Sequence, residues 1–392
     1  MGFDKISKAI PINAIPITKA TLPVFESLEP ELRSIFSAGM ITNHHYVKKL
    51  EEELQRYLGV KHVIAVSSCT SGMMLVMKGL GLTGEIIVPS FTFSATGHAV
   101  LWNSLVPRFV EIDPETLTID PQKVLEAITP HTSAILGVHI FGCPAAVHEL
   151  EAIAREHKLK LFFDAAHALG SKVGERLVGS FGDAEIFSCS PTKLLVTGEG
   201  GLVATNNDDL ARQVRIGRTY GDPGTYDCEF AGLSARMGEF NALLGLKSLP
   251  MLEENIARRH TLVQCYKQEL MHLPGVTFQK IAPSRRTTYK DFSLLIDPAR
   301  FGISRDVLAE ELQKLGIQTK KYFYPPLHLQ RAYGDYLPQY FGKLPLTEHI
   351  AKKALSLPLF SHMTHEQVLL VARNLVSIHQ QARTPPPPQR ST

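Results

Sequence analysis

The stretch His62-Val-Ile-Ala-Val66-Ser-Ser-Cys-Thr-Ser-Gly72 decides the fold class. Five apolar-leaning residues come first, then five small residues that each carry a hydroxyl or thiol, then a Met/Leu-rich helical stretch. The unit recurs. Glu85-Ile-Ile-Val88 closes on Pro89-Ser-Phe-Thr-Phe93, and Val106 to Ile112, Ala134 to Val138 and Lys160 to Phe163 follow at intervals filled by helix-like segments. Short apolar runs alternating with helices predict an α/β fold built on a mostly parallel, doubly wound sheet. Ligands of such sheets gather at the carboxyl ends of the strands.

Outward from that core the pattern changes. Upstream, Tyr46, Leu50, Leu54 and Leu58 fall at i, i+4 steps within a helical region that begins near Glu29. Before it, residues 1–25 carry several prolines and little periodicity, which predicts an arm over a neighbour or a domain edge. Downstream, near Leu249, a long helical stretch containing Glu253, Glu254, Arg258 and Arg259 leads away from the sheet. Asp291-Phe-Ser-Leu-Leu-Ile296 and a helix from Arg305 to Leu315 predict a second, smaller α/β unit. The expected organisation is an arm (1–25), a large domain (26–250), a small C-terminal domain (251–382) and a disordered polyproline-like tail (383–392).

Composition excludes several classes. The 392 residues are 44% hydrophobic and 20% charged with a net charge of +3 and no Lys/Arg cluster, which gives no sign of a nucleic-acid partner. The five cysteines are scattered and odd in number, without a CxxC pair, which fits reduced thiols and no metal site. The N-terminus lacks a secretory h-region and no apolar run approaches ~18 residues, so the expectation is a cytoplasmic protein with no membrane partner.

Chemistry concentrates in four places. Phe187-Ser-Cys-Ser-Pro-Thr-Lys193 runs from a strand end into Gly198, Gly200 and Gly201. A lysine in such a place is either a surface cation in a turn or a desolvated amine that attacks carbonyls. Leu161-Phe-Phe-Asp164-Ala-Ala-His167 ends a strand in a carboxylate, which serves as a helix N-cap or holds a ring nitrogen protonated. Ser67 to Gly72, between a strand and a helix, either caps that helix or binds a phosphate through hydroxyls, N–H groups and the dipole; Ser188 offers a further hydroxyl. Phe91 and Phe93 point opposite ways, leaving two core residues or one core residue and one ring that stacks on an aromatic ligand. His328 sits in the proline-stiffened Tyr324-Pro-Pro-Leu-His328, and Arg236-Met-Gly-Glu239 opens a helix where glutamate complements the dipole.

The ordered set Ser68-Cys-Thr-Ser71, Pro89-Ser-Phe-Thr-Phe93, Val138-His-Ile-Phe-Gly142, Asp164-Ala-Ala-His167, Ser188-Cys-Ser-Pro-Thr-Lys193, Gly198-Glu-Gly-Gly201, Arg236-Met-Gly-Glu239 and Pro326-Leu-His328 resembles the DegT/DnrJ/EryC1/StrS sugar aminotransferases, over about residues 30–380. The resemblance implies fold type I (aspartate-aminotransferase-like) with a seven-stranded, mostly parallel sheet, pyridoxal 5′-phosphate as cofactor, and a homodimer with shared active sites. It implies that Lys193 binds the cofactor covalently and then moves the proton, that Asp164 pairs with the ring nitrogen and that Phe93 stacks on the ring. It further implies that Thr70, Ser71 and Ser188 hold the phosphate, that His167 sits beside O3′, and that His328 contacts substrate. The implied reaction moves an amino group from L-glutamate to a keto-sugar nucleotide, a dTDP-type 4-keto-6-deoxyhexose by the form Asp164-Ala-Ala-His167, with a 3-keto-sugar or keto-cyclitol as the alternative.

Four positions depart from the family pattern. Cys69 stands for the usual glycine, Ser190 for a histidine and Cys143 for a glutamine; Ser234 stands for the phosphate-binding asparagine given by the partner subunit. Dehydratases of the family carry histidine in place of Lys193, so the lysine argues against a lyase. Its retention with Asp164 also argues against an inactive regulatory paralogue.

Overall fold

A computed structural model describes residues 14–340 and 342–383. The strands are β1 (His62–Val66), β2 (Glu85–Pro89), β3 (Val106–Val110), β4 (Thr132–Val138), β5 (Lys160–Asp164), β6 (Lys172–Val173), β7 (Arg176–Leu177), β8 (Ala184–Ser188), β9 (Gly201–Thr205), β10 (Val276–Phe278), β11 (Arg285–Arg286), β12 (Phe292–Ile296) and β13 (Ala354–Leu357). Seven of them form one sheet in the order β1-β9-β8-β5-β4-β2-β3. Every pairing in it is parallel except those of β9, which runs antiparallel to both neighbours.

The strands lack polar alternation because both faces are covered. Ile64 and Val66 enter one core with the helices Cys69–Gly79, Ser94–Trp102 and Asp208–Gly217, while Val63 and Ala65 enter another with the helix His45–Leu58. The helical region expected from Glu29 is two helices, Glu29–Ala38 and His45–Leu58, divided after Gly39 at φ 67°. Glu239 does more than complement its own dipole: its carboxylate accepts the backbone N–H groups of His44, Tyr46 and Val47 and so caps the second helix.

Register brings the chemistry to one edge. Asp164 is level with Val138 on β4 and Ile186 on β8, and Gly201 is level with both Val66 and Ser188. The antiparallel β9 therefore starts where β1, β5 and β8 end. Gly201 is required there: a Cβ would lie 2.4 Å from the Cys69 nitrogen and the Ser68 carbonyl carbon. Only a bare backbone lets the turn after β1 cross at that distance.

A second, antiparallel sheet, β10-β12-β13, carries its own core with Phe292, Leu294 and Ile296 against the helices Arg305–Lys314 and His365–Arg383. The helix Leu252–Leu270 serves both cores, Leu252 and Ile256 packing in the sheet domain and Leu262 to Leu270 in the second. The division expected at 250/251 thus falls at the start of a shared helix. Of the expected arm, Ile15 pairs with Ile317 and is buried on the second unit. Residues 1–13 of that arm and 384–392 of the expected tail lie outside the described residues.

Candidate active site

The carboxyl edge of the large sheet holds a cavity of about 340 Å³. Ser68, Thr70, Phe93, Asp164, His167, Ser188 and Lys193 all line it, although they come from four separate stretches of chain. The structure therefore brings together most of the residues singled out in the sequence.

Asp164 is buried at the end of β5. Its Oδ1 accepts the Ala166 N–H at 3.1 Å, the local cap that such a junction favours. Its Oδ2 accepts the Thr96 hydroxyl at 2.7 Å, and Thr96 in turn meets the Thr92 hydroxyl at 2.9 Å. Capping and cavity placement coexist, so the two sequence readings of this aspartate are not exclusive. Thr96 was absent from the sequence reading; its i, i+4 spacing from Thr92 at a helix start is the one signal that could have found it.

Lys193 follows a turn in which its N–H bonds the Ser190 carbonyl at 3.0 Å. No side-chain hydrogen bond or ion pair holds its Nζ among the described residues. Burial pushes the amine down from 10.5 to about 8, the charge of Lys290 adds to this, and Asp291, Cys69 and Asp164 oppose it. His167 lies well below its usual range, through burial first and then through Lys193 and Lys290. Its Nδ1 accepts the Phe141 N–H at 3.2 Å, which leaves the neutral ring with its proton on Nε2.

Opposite conformations separate the two phenylalanines. Phe91 is buried against Phe141 and Phe323, whereas Phe93 is 56% exposed and lines the cavity. At the helix Cys69–Gly79, Thr70 lines the cavity with a hydroxyl that has no partner among the described residues. Ser71 behaves differently from expectation: it does not line the cavity, and its hydroxyl accepts the Ser68 N–H while the Ser68 hydroxyl accepts the Ser71 N–H, a reciprocal cap. Ser188 meets Ser190 at 3.4 Å at the cavity wall.

One expected residue stands elsewhere. His328 is fully buried, with Nδ1 2.6 Å from the Ser90 hydroxyl and Nε2 3.3 Å from Glu348; it does not line the cavity, because the proline-stiffened loop turns it into the packing beneath. Ser234, expected to serve the site of the partner subunit, is exposed and paired in a bridge with Thr219, and it does not line the cavity of its own chain. Conversely, Lys290, Asp291, Tyr322 and Phe323 line the cavity from the C-terminal half and were missed. No spacing links them to the sheet motifs, since their proximity arises from how the second unit packs on the first.

A ring that needs a covalent amine, a carboxylate and an anion-binding helix end would fit these groups. Comparison with known proteins bears on which ring. Residues 25–376 match the DegT/DnrJ/EryC1/StrS aminotransferase family. The chain is 32% identical over 368 residues to the dTDP-4-amino-4,6-dideoxy-D-glucose transaminase of Escherichia coli, covering 93% of this chain and 98% of that one. Among solved structures, DesI in the presence of its TDP-sugar product is 36% identical, with a TM-score of 0.89 over 94% of each chain. NtdA of Bacillus subtilis with bound cofactor PMP is 29% identical, with a TM-score of 0.84 over 91% of this chain and 82% of that one.

Proposed function

The chain belongs to the DegT/DnrJ/EryC1/StrS aminotransferase family, and from that premise we propose that it moves an amino group from L-glutamate to a nucleotide-linked keto-sugar, a dTDP-type 4-keto-6-deoxyhexose. It is a pyridoxal 5′-phosphate-dependent transaminase. The observation that carries the reading is the joint placement, in one cavity, of an unpaired Lys193 amine near pKa 8 and a buried Asp164 carboxylate fixed by Thr96 and Ala166.

The residues fit the cofactor. Lys193 would hold its carbonyl carbon, Asp164 its ring nitrogen, Phe93 the ring face and the Nε2–H of His167 its O3′. Thr70 and Ser188, with the N-terminus of the helix Cys69–Gly79, would hold the phosphate. The cap observed at Ser71 ties both its backbone N–H and its hydroxyl to Ser68, so Thr70 rather than Ser71 offers a free hydroxyl at this helix end. When bound, the pyridine ring supplies an electron sink that makes the proton on the substrate carbon acidic and stores the amine between the two substrates.

The protein's own part is positional and acid–base. Lys193, which would hold the cofactor, would also serve as the base toward the donor Cα proton; an amine near pKa 8 is neutral often enough to do so. The neutral His167 donates from Nε2 without adding a cation to a cavity that already holds Lys193 and Lys290. Asp164, an acceptor only when ionised, is held in one orientation by two donors on its two oxygens. Donor and acceptor substrates take turns at one site, a ping-pong scheme.

We read the working unit as a homodimer with shared sites, and an exposed apolar patch supports this. Phe36 is 74% exposed, and its ring lies 5.4 Å from that of Phe240; Met40 and Ile41 lie beside them, also exposed. Among the described residues no helix is long and apolar enough to cross a membrane. The functional test is a coupled assay with glutamate against a panel of nucleotide 3- and 4-ketosugars. Turnover restricted to 4-keto-6-deoxyhexoses supports the reading; turnover of 3-ketosugars alone, or of none, refutes it.

A further inference from the structure

Lys290 and Asp291 form an ion pair of 2.9 Å that is almost wholly buried, at 4% and 7% exposure, on the wall of the cavity. The main chain beneath them is fixed from two sides. The Lys290 N–H donates to the Phe141 carbonyl at 3.0 Å, and its carbonyl accepts from the buried guanidinium of Arg259 at 2.8 Å. Both side chains therefore issue from an anchored backbone and from the second unit, facing Lys193 on the first.

Three features indicate that the pair is not there for stability. A buried ion pair is commonly no better for stability than two apolar residues of its volume. Asp291 Oδ2 has no hydrogen-bond partner among the described residues although it is buried, a rare condition that a ligand donor would relieve. Lys290 uses one of its three N–H donors on Asp291, and it lines the same cavity as Lys193 and His167.

The two substrates differ in the chemistry such a wall could read. An amino-acid donor brings carboxylates, whereas a sugar ring brings hydroxyls and no carboxylate. We propose that Lys290 and Asp291 are the pair by which one cavity recognises both: the Lys290 ammonium takes a carboxylate of the amino donor, and Asp291 Oδ2 accepts a hydroxyl of the sugar. This inference rests on the reading above that glutamate and a keto-sugar alternate at the site. It gives the alternation a physical basis, because each substrate completes a different half of the same ion pair and neither needs the pair to be dismantled.

The test separates the halves. Holoenzyme is titrated by calorimetry with glutarate, which has the donor's carboxylates without its amine. Pyridoxamine-phosphate-loaded enzyme is mixed in single turnovers with dTDP-4-keto-6-deoxyglucose. Lys290→Met is expected to weaken glutarate binding by at least about tenfold and to leave the half-saturating sugar concentration within about threefold. Asp291→Leu is expected to do the reverse. Because either single change strands a buried charge, the double variant Lys290→Met/Asp291→Leu is measured too; it replaces the pair by apolar volume, keeps the fold, and is expected to lose both affinities. Unchanged glutarate affinity in Lys290→Met and the double variant, or unchanged sugar saturation whenever Asp291 is replaced, overturns the proposal. Wild-type enzyme that accepts the amine of glutamate but aminates no keto-sugar would refute the sugar reading instead, while the glutarate titration would still decide the role of Lys290.

Discussion

The lowered pKa of Lys193 makes a quantitative test possible. In the apoenzyme its amine titrates near 8 instead of 10.5, with burial as the first cause and Lys290 as the second. At pH 7.5 an ordinary lysine is neutral in about one molecule in a thousand, whereas this one is neutral in about one in four, a gain of roughly two hundredfold in attacking amine. The assay is stopped-flow absorbance of covalent pyridoxal phosphate capture by apoenzyme between pH 6.5 and 10, divided at each pH by the rate for a simple lysine amide. The rate is expected to rise with pH, bend near pH 8 and flatten above it. The relative rate should fall toward unity as the model amine catches up near pH 10. Lys290→Met, which removes the second cause, is expected to move the bend to higher pH. The linked stability has a definite sign: between pH 8 and 10.5 the unfolded chain holds the proton that the folded chain has lost, so this group's contribution to stability rises with pH across that window. A capture rate climbing with unit slope past pH 9.5 would refute the argument that the site desolvates this amine.

Further substitutions extend the test. Lys193→Ala is expected to bind the cofactor without a covalent bond, seen as an absorbance that borohydride no longer shifts onto protein, and to lose at least about 10²–10⁴-fold in turnover from missing proton transfer alone. Asp164→Asn is expected to cut turnover by several orders of magnitude, and Thr96→Val, which removes one donor to that carboxylate, by about tenfold to a hundredfold; steady-state assays with a checked cofactor content distinguish these. Gly201→Ala is expected to destabilise by at least about 2 kcal/mol in urea unfolding, since its Cβ meets backbone at 2.4 Å, whereas Gly334→Ala, with nothing within 4 Å, should change little.

The sheet was legible because burial on both faces erases polar alternation, and the strands β1 to β5 coincide with the apolar runs to within a few residues. Strand order was not. Nothing in Gly201–Thr205 announces that β9 inserts antiparallel between β1 and β8. That insertion is what levels Gly201 with Val66 and Ser188 and so joins the turn after β1 to the lysine loop. Asp164 and Thr70 were readable because one ends a strand and the other opens a helix, and Lys193 because it lies in the glycine-rich loop that follows β8. Lys290 and Asp291 were not, since they reach the cavity only through the packing of the second unit and the anchoring of their backbone on Phe141. His328 was expected at the site from resemblance, yet a motif position does not state which way a loop turns, and this one is buried on Ser90; Ser234, expected to serve the partner's site, is exposed on its own chain, which leaves that expectation untouched.

Borohydride reduction of the cofactor-loaded protein, followed by digestion and mass spectrometry, tests the central claim most directly. The expected result is a phosphopyridoxyl adduct on the peptide that contains Lys193, at close to one per chain, with loss of visible absorbance. A colourless protein without adduct, or an adduct carried by Lys290 or by any other lysine while Lys193 stays free, would contradict the account.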